Sequence, residues 1–80
     1  MRFRYDSESG ALYVRIREGH IEETLDLGPG AYLDIDRDGK VMGAEFLSLE
    51  EFTEIAKAYG GTLDLPERVE DPEAFRLNLA

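Results

Sequence analysis

Eighty residues, 42% of them hydrophobic and none of them cysteine, exclude disorder, a disulfide scaffold and thiolate chemistry, and leave room for one domain with one core. A net charge of −9 opposes binding to nucleic-acid phosphates and suits a basic protein partner. His20 is the single histidine, no apolar run reaches the ~20 residues of a membrane helix, and the opening stretch lacks a signal-peptide core, so the cytoplasm is the expected location.

Phe3 and Tyr5 alternate with Arg2, Arg4 and Asp6, the period of two that marks a strand. Ser7, Glu8, Ser9 and Gly10 supply a turn. Leu12, Val14 and Ile16 then alternate with Tyr13, Arg15 and Arg17. A two-residue turn at Glu18 and Gly19 predicts Ile16 opposite Ile21, Leu12 opposite Leu25 and Arg15 opposite Glu22. Ile21, Leu25 and Leu27 share one parity, interrupted by Glu23. After Gly28, Pro29 and Gly30, Ala31, Leu33 and Ile35 alternate with Tyr32, Asp34 and Asp36. A turn at Asp38 and Gly39 predicts Ile35 opposite Met42, Leu33 opposite Ala44 and Ala31 opposite Phe46. A slip of one residue would move that whole set into water.

Beyond Phe46 the period lengthens. Ser48, with Glu51 three residues on, forms a capping box, and Leu49, Phe52, Ile55, Ala56 and Tyr59 make one helical stripe that ends at Gly60 and Gly61. Thr62 to Leu65 reads as a short strand stopped by Pro66. Asp71 and Pro72 read as a helix start, yet Phe75, Leu77 and Leu79 alternate like a strand. Both readings of residues 72–79 stand at this point, as does docking of this segment on its own chain or on a second copy. The expected fold is α+β: an antiparallel meander of about five strands over residues 1–47, an amphipathic helix over 48–61 on its apolar face, and a docked C-terminal segment over 62–80, all in one domain.

Asp34 to Glu45 matches the calcium-loop pattern D-x-D-x-D-G-x5-E. The loop requires an entering helix, and Gly28, Pro29 and Gly30 oppose one. If residues after Gly39 run as a strand, Glu45 lies roughly 20 Å along the chain from the turn, out of reach of a common ion. A looser cation or small-ligand site at Asp34, Asp36 and Asp38 is the alternative. Glu23 is the candidate perturbed acid. At its parity a carboxylate must find a partner, shift its pKa upward, or escape at a bulge or edge.

The polar parity splits by charge. Arg2, Arg4, Arg15 and Arg17 fall on the first two strands, whereas Glu22, Asp26, Asp34, Asp36 and Glu45 fall on the others, with Tyr13 and Tyr32 between. Arg4, Tyr13, Arg15, Arg17, Glu22 and Tyr32 are the candidate interaction face, suited to self-association because a two-fold pair uses one patch twice. No catalytic grouping or cofactor motif is visible. His20 has no nucleophile near it in sequence, and Ser48 is a cap without a nucleophile-elbow context.

Tyr5-Asp6-Ser7-Glu8-Ser9-Gly10-Ala11-Leu12-Tyr13-Val14 resembles the opening Y-D-x-E-x-x-A-L-Y-[IV] of small prokaryotic proteins catalogued as domain of unknown function 2283. Glu23-Thr24, Pro29-Gly30, Asp34-Ile35-Asp36, Asp38-Gly39-Lys40-Val41 and Gly43-Ala44-Glu45 fit its later pattern. Ala44 and Phe46 stand where the family usually has a larger aliphatic residue. The resemblance covers about residues 3–47, supplies no site residues, and implies an antitoxin-like or accessory role, here as partner of a basic protein. The expected function is a non-enzymatic, homodimeric interaction module.

Overall fold

A computed structural model describes residues 1–75. Five strands, β1 (Arg2–Tyr5), β2 (Leu12–Arg15), β3 (Glu23–Gly28), β4 (Ala31–Ile35) and β5 (Val41–Phe46), precede one helix, α1 (Leu49–Ala58). All strand pairs are antiparallel, so the chain has the expected α+β fold. The order across the sheet is β1-β2-β5-β4-β3. It joins a hairpin, β1–β2, to a three-strand meander, β3–β4–β5.

The predicted pairing of β2 with β3 is not made. Leu12 lies opposite Phe46 rather than Leu25, and Arg15 lies opposite Gly43 and Arg2 rather than Glu22. Residues 16–22 do not form a tight turn. They carry the chain past the ends of β5 and β4 to the far edge, tied down where the Ile16 and Arg17 amides donate to the Met42 carbonyl at 2.8 and 3.2 Å. Alternation is satisfied equally by either neighbour, and β5 offers β2 a more apolar partner than β3 does. Its residues Val41–Ala44 and Phe46 are buried, whereas Glu23, Thr24 and Asp26 of β3 are exposed.

The β4–β5 register is the predicted one at Ala31–Phe46 and Leu33–Ala44. It shifts at the next pair, where Ile35 faces Val41 rather than Met42. The extra residue is a bulge, and it lets both Val41 and Met42 be buried. Leu33, Ile35 and Val41 are the largest fully buried side chains.

Ser48 caps α1 as predicted, its Oγ accepting from the Glu51 amide at 3.1 Å. Ile55 is buried, and Phe52 meets Phe46 edge-to-face with ring centroids 5.0 Å apart. Leu49, placed on the stripe by its spacing, is half exposed. Residues 62–65 form no strand, although Thr-Leu-Asp-Leu is also the sequence of Thr24 to Leu27 in β3. The same tetrapeptide takes two conformations because only the first has a ladder to join. Leu63 and Leu65 still pack on the core. The segment then folds against the β4–β5 turn, where Val69 N–H donates to the Gly39 carbonyl at 2.7 Å and Val41 N–H to the Glu67 carbonyl at 2.9 Å. Asp71 caps a single 3-10 turn, Pro72–Ala74, so the helical reading holds that far. Phe75 packs against the core, and Leu77 and Leu79 lie outside the described residues.

Candidate functional site

The register sorts side chains into two layers. Phe3, Tyr5, Leu12, Val14, Leu25, Ala31, Leu33, Ala44 and Phe46 share the helix-side face. Arg2, Arg4, Tyr13, Arg15, Gly43, Glu45, Tyr32, Asp34, Thr24 and Asp26 share the outer face. The predicted charge split is therefore spatial: arginines on β1 and β2, carboxylates on β5, β4 and β3.

Tyr13 joins the two halves. Its hydroxyl donates to Asp34 Oδ2 at 2.9 Å, and Thr24 Oγ1 donates to Asp34 Oδ1 at 2.6 Å. The contact spans β2, β5, β4 and β3 because β5 presents Gly43 beneath the ring. A Cβ at Gly43 would lie 2.5 Å from Tyr13 Oη and 2.8 Å from the Val14 carbonyl oxygen. Burial, then the bond to Asp34, pushes the Tyr13 hydroxyl above its ordinary pKa. It stays a protonated donor at neutral pH. Gly43 and Thr24 were not among the predicted site residues. A glycine within a strand marks close backbone approach, and that signal would have found the first.

The other candidates separate. Arg4 is exposed on β1, and Tyr32 is half-buried on β4 opposite Glu45. Arg15 closes the 16–19 loop, its Nε donating to the Arg17 carbonyl at 2.8 Å and its Nη2 to the Gly19 carbonyl at 2.7 Å. Arg17 and Glu22 lie in the crossover, outside the strands and off the sheet face where they were expected. Arg17 Nε is buried with no hydrogen-bond partner among the described residues, beside a cleft of about 250 Å³ lined by Arg2, Arg15, Ile16 and Glu18. Glu22 Oε2 lies 3.7 Å from His20 Nε2, with both side chains exposed. Glu23 is exposed at the start of edge strand β3, opposite Ile35. Of the outcomes open to a carboxylate at that parity, it takes the edge.

The three aspartates do not converge. Asp34 serves Tyr13 and Thr24. Asp36 turns to the backbone, its Oδ1 accepting from the Asp38 amide at 2.8 Å and the Lys40 amide at 2.9 Å. Among the described residues no three acidic or histidine side chains are grouped as a metal would require. Residues 41–46 run extended, which places Glu45 beside Tyr32 on the outer face rather than back at the turn.

Burial raises the Asp36 pKa, but the Lys40 and Asp38 amides outweigh it, and the carboxyl sits below its usual range. A depressed folded pKa contributes stability above the unfolded value of ~3.9 and loses it as pH falls through the folded value. The difference in Tm between the native protein and Asp36→Asn is therefore expected to be largest above about pH 5 and to shrink at lower pH. Thermal melts across pH 2–7 check this; a gap constant with pH would contradict it.

A family model described as "Protein of unknown function (DUF2283)" matches residues 2–49. The chain belongs to this family. The match takes in all five strands and the first residue of α1, so the split-charge face lies wholly within the DUF2283 region. Neither a curated protein nor a solved structure matches the chain. No helix among the described residues is long and apolar enough to cross a membrane.

Proposed function

We propose that this chain is a non-enzymatic protein-interaction module of the cytoplasm that pairs with a second copy through the outer face of its sheet. The observation that supports the reading is the charge split on that face. Arg2, Arg4 and Arg15 lie at one side, Asp26, Asp34 and Glu45 at the other, and Tyr13 reaches over Gly43 between them. A two-fold axis along β5, between two stacked sheets, would set β1 and β2 of one copy over β3 and β4 of its mate. Arginine would then meet carboxylate twice per dimer, as an isologous contact requires. Tyrosine and arginine are also the residue types that carry binding energy at interface centres. The remaining carboxylates leave an acidic exterior suited to a basic protein partner.

Sedimentation at micromolar concentration is expected to show a dimer that dissociates as salt rises, because the contact is electrostatic. Arg4→Glu should weaken it by about tenfold or more, since like charges then oppose across the interface. A combined Arg4→Glu and Asp26→Arg variant should recover part of the loss. A protein that stays monomeric at low salt would refute the reading.

A further inference from the structure

The helix-side face of the sheet is covered unevenly. Phe52 packs on Phe46, and Ile55 sits so close to Gly28 that a Cβ there would lie 2.9 Å from Ile55 Cδ1. The helix thus spans β5 to β3. Toward β1 the cover stops: Phe3 is 67% and Tyr5 53% exposed, with Leu12 and Val14 half-buried beside them. Beta-1 is also an edge of the sheet. Half of its amides and carbonyls point away from β2, a template for one more strand.

The other side of β1 says which strand would fit. Arg2 lies directly opposite Arg15, with Arg4 opposite Tyr13. Like charges in register repel. Neither Arg2 nor Arg4 forms a salt bridge among the described residues, although the chain has 18 acidic residues against 9 basic ones. These two arginines, Tyr13, Arg15 and Glu18 line a cleft of about 230 Å³. A strand laid beside β1 would place alternate side chains at cross-strand distance, ~5 Å, from Phe3 and Tyr5 on one face and from Arg2 and Arg4 on the other. Apolar residues suit the first set, and carboxylates suit the second. A copy of β1 itself is disfavoured, because antiparallel self-pairing sets Arg2 against Arg4 when Phe3 faces Phe3, and Arg4 against its own copy when Phe3 faces Tyr5.

We propose that β1 is an acceptor edge for an extended segment of a partner protein that alternates apolar with acidic side chains, added as a sixth strand. Main-chain bonds supply part of the affinity, and the two rows of side chains supply the choice of partner. The edge amides of β1 lie beside the outer face, but Arg2 and Arg4 belong to both surfaces; new amide protection on β1 marks strand addition, whereas face-to-face pairing leaves those edge amides open.

The probe is a short capped synthetic peptide alternating glutamate and valine, titrated calorimetrically against the full chain below its own association concentration. Amide hydrogen exchange is read in parallel. The expected result is binding at least about tenfold tighter than that of a lysine–valine peptide, with new protection confined to β1. Methylating the amides on one edge of the peptide should abolish it. The double variant Arg2→Glu, Arg4→Glu should reverse the preference toward the lysine–valine peptide. Phe3→Ser, at an exposed position, should weaken binding without lowering Tm. Equal affinity for the two peptides, tolerance of amide methylation, or protection away from β1 would each overturn the proposal. So would concentration-dependent protection of β1 in the protein alone, which would give the edge to a second copy.

Discussion

Gly43→Val is expected to lower Tm by on the order of 10–20 °C, although valine is among the best strand residues. Strand preference spans only ~1 kcal/mol, and it measures how a side chain packs on its neighbours. At Gly43 the space is already filled. A Cβ would lie 2.5 Å from Tyr13 Oη, 2.9 Å from Tyr13 Cζ and 2.8 Å from the Val14 carbonyl oxygen. The tyrosine can swing away, but only by losing its bond to Asp34. The carbonyl belongs to the β2–β5 ladder and moves only with the strand. Overpacking of this kind costs about 1–3 kcal/mol, and a lost hydrogen bond to a charged acceptor adds roughly 1 kcal/mol at a part-buried site. A loss of ~2–4 kcal/mol is a large share of the ~5–15 kcal/mol that holds a small domain together. At ~4–8 °C per kcal/mol for a domain of this size, the shift is easily read by calorimetry.

A double-mutant cycle separates the two causes. In a Tyr13→Ala background, Gly43→Ala should cost about 1 kcal/mol less than in the native protein, because the ring has gone and only the Val14 carbonyl remains. Strict additivity would mean that Tyr13 does not lie over Gly43. The outer face would then lose the platform that joins its two charge halves.

What the sequence made legible follows from what alternation encodes. It assigns each side chain to a layer, so the core set of Leu25, Ala31, Leu33, Ala44 and Phe46 could be read directly, as could the charge split on the opposite layer. The register of β4 on β5 followed from the short turn between them. Alternation does not say which strand lies beside which. The hairpin β1–β2 presents the same layers whether β2 adjoins β3 or β5, and residues 16–22 are long enough to permit either. The bulge at Val41 and Met42 has a sequence trace, two adjacent apolar residues where one was due, but not one that names the extra residue. The Tyr13 contact was half legible: Tyr13, Asp34 and Thr24 share a parity. Only the true strand order brings them together across Gly43. The acidic motif was already opposed on the sequence by Gly28, Pro29 and Gly30, and the structure adds what its aspartates do: Asp36 accepts from the turn amides and Asp34 from Tyr13.

Gly39→Ala should cost about 2–4 kcal/mol, although a glycine-to-alanine change often stabilises by restricting the unfolded chain, worth ~0.4–1 kcal/mol. Two features reverse the sign. The residue sits at φ +83°, in the left-handed region, where an L side chain costs about 1–2 kcal/mol. Its missing side chain also makes room for another stretch of backbone, because a Cβ at Gly39 would run into the Val69 carbonyl oxygen. That approach is how the C-terminal segment is fastened. The Gly39 carbonyl accepts from Val69, Val41 donates to Glu67, and Lys40 bridges Arg68. Val69 is thereby buried at 5% exposure against the core. The variant should therefore lose hydrogen-exchange protection at the Val69 and Val41 amides before it loses it at Leu33. Gly39→Asn discriminates the two causes, since asparagine enters the left-handed region readily but carries the same Cβ. It should recover the conformational part of the loss and leave Val69 unprotected. Full recovery of both Tm and protection by asparagine would show that backbone strain is the whole effect and that the segment does not depend on the gap at Gly39.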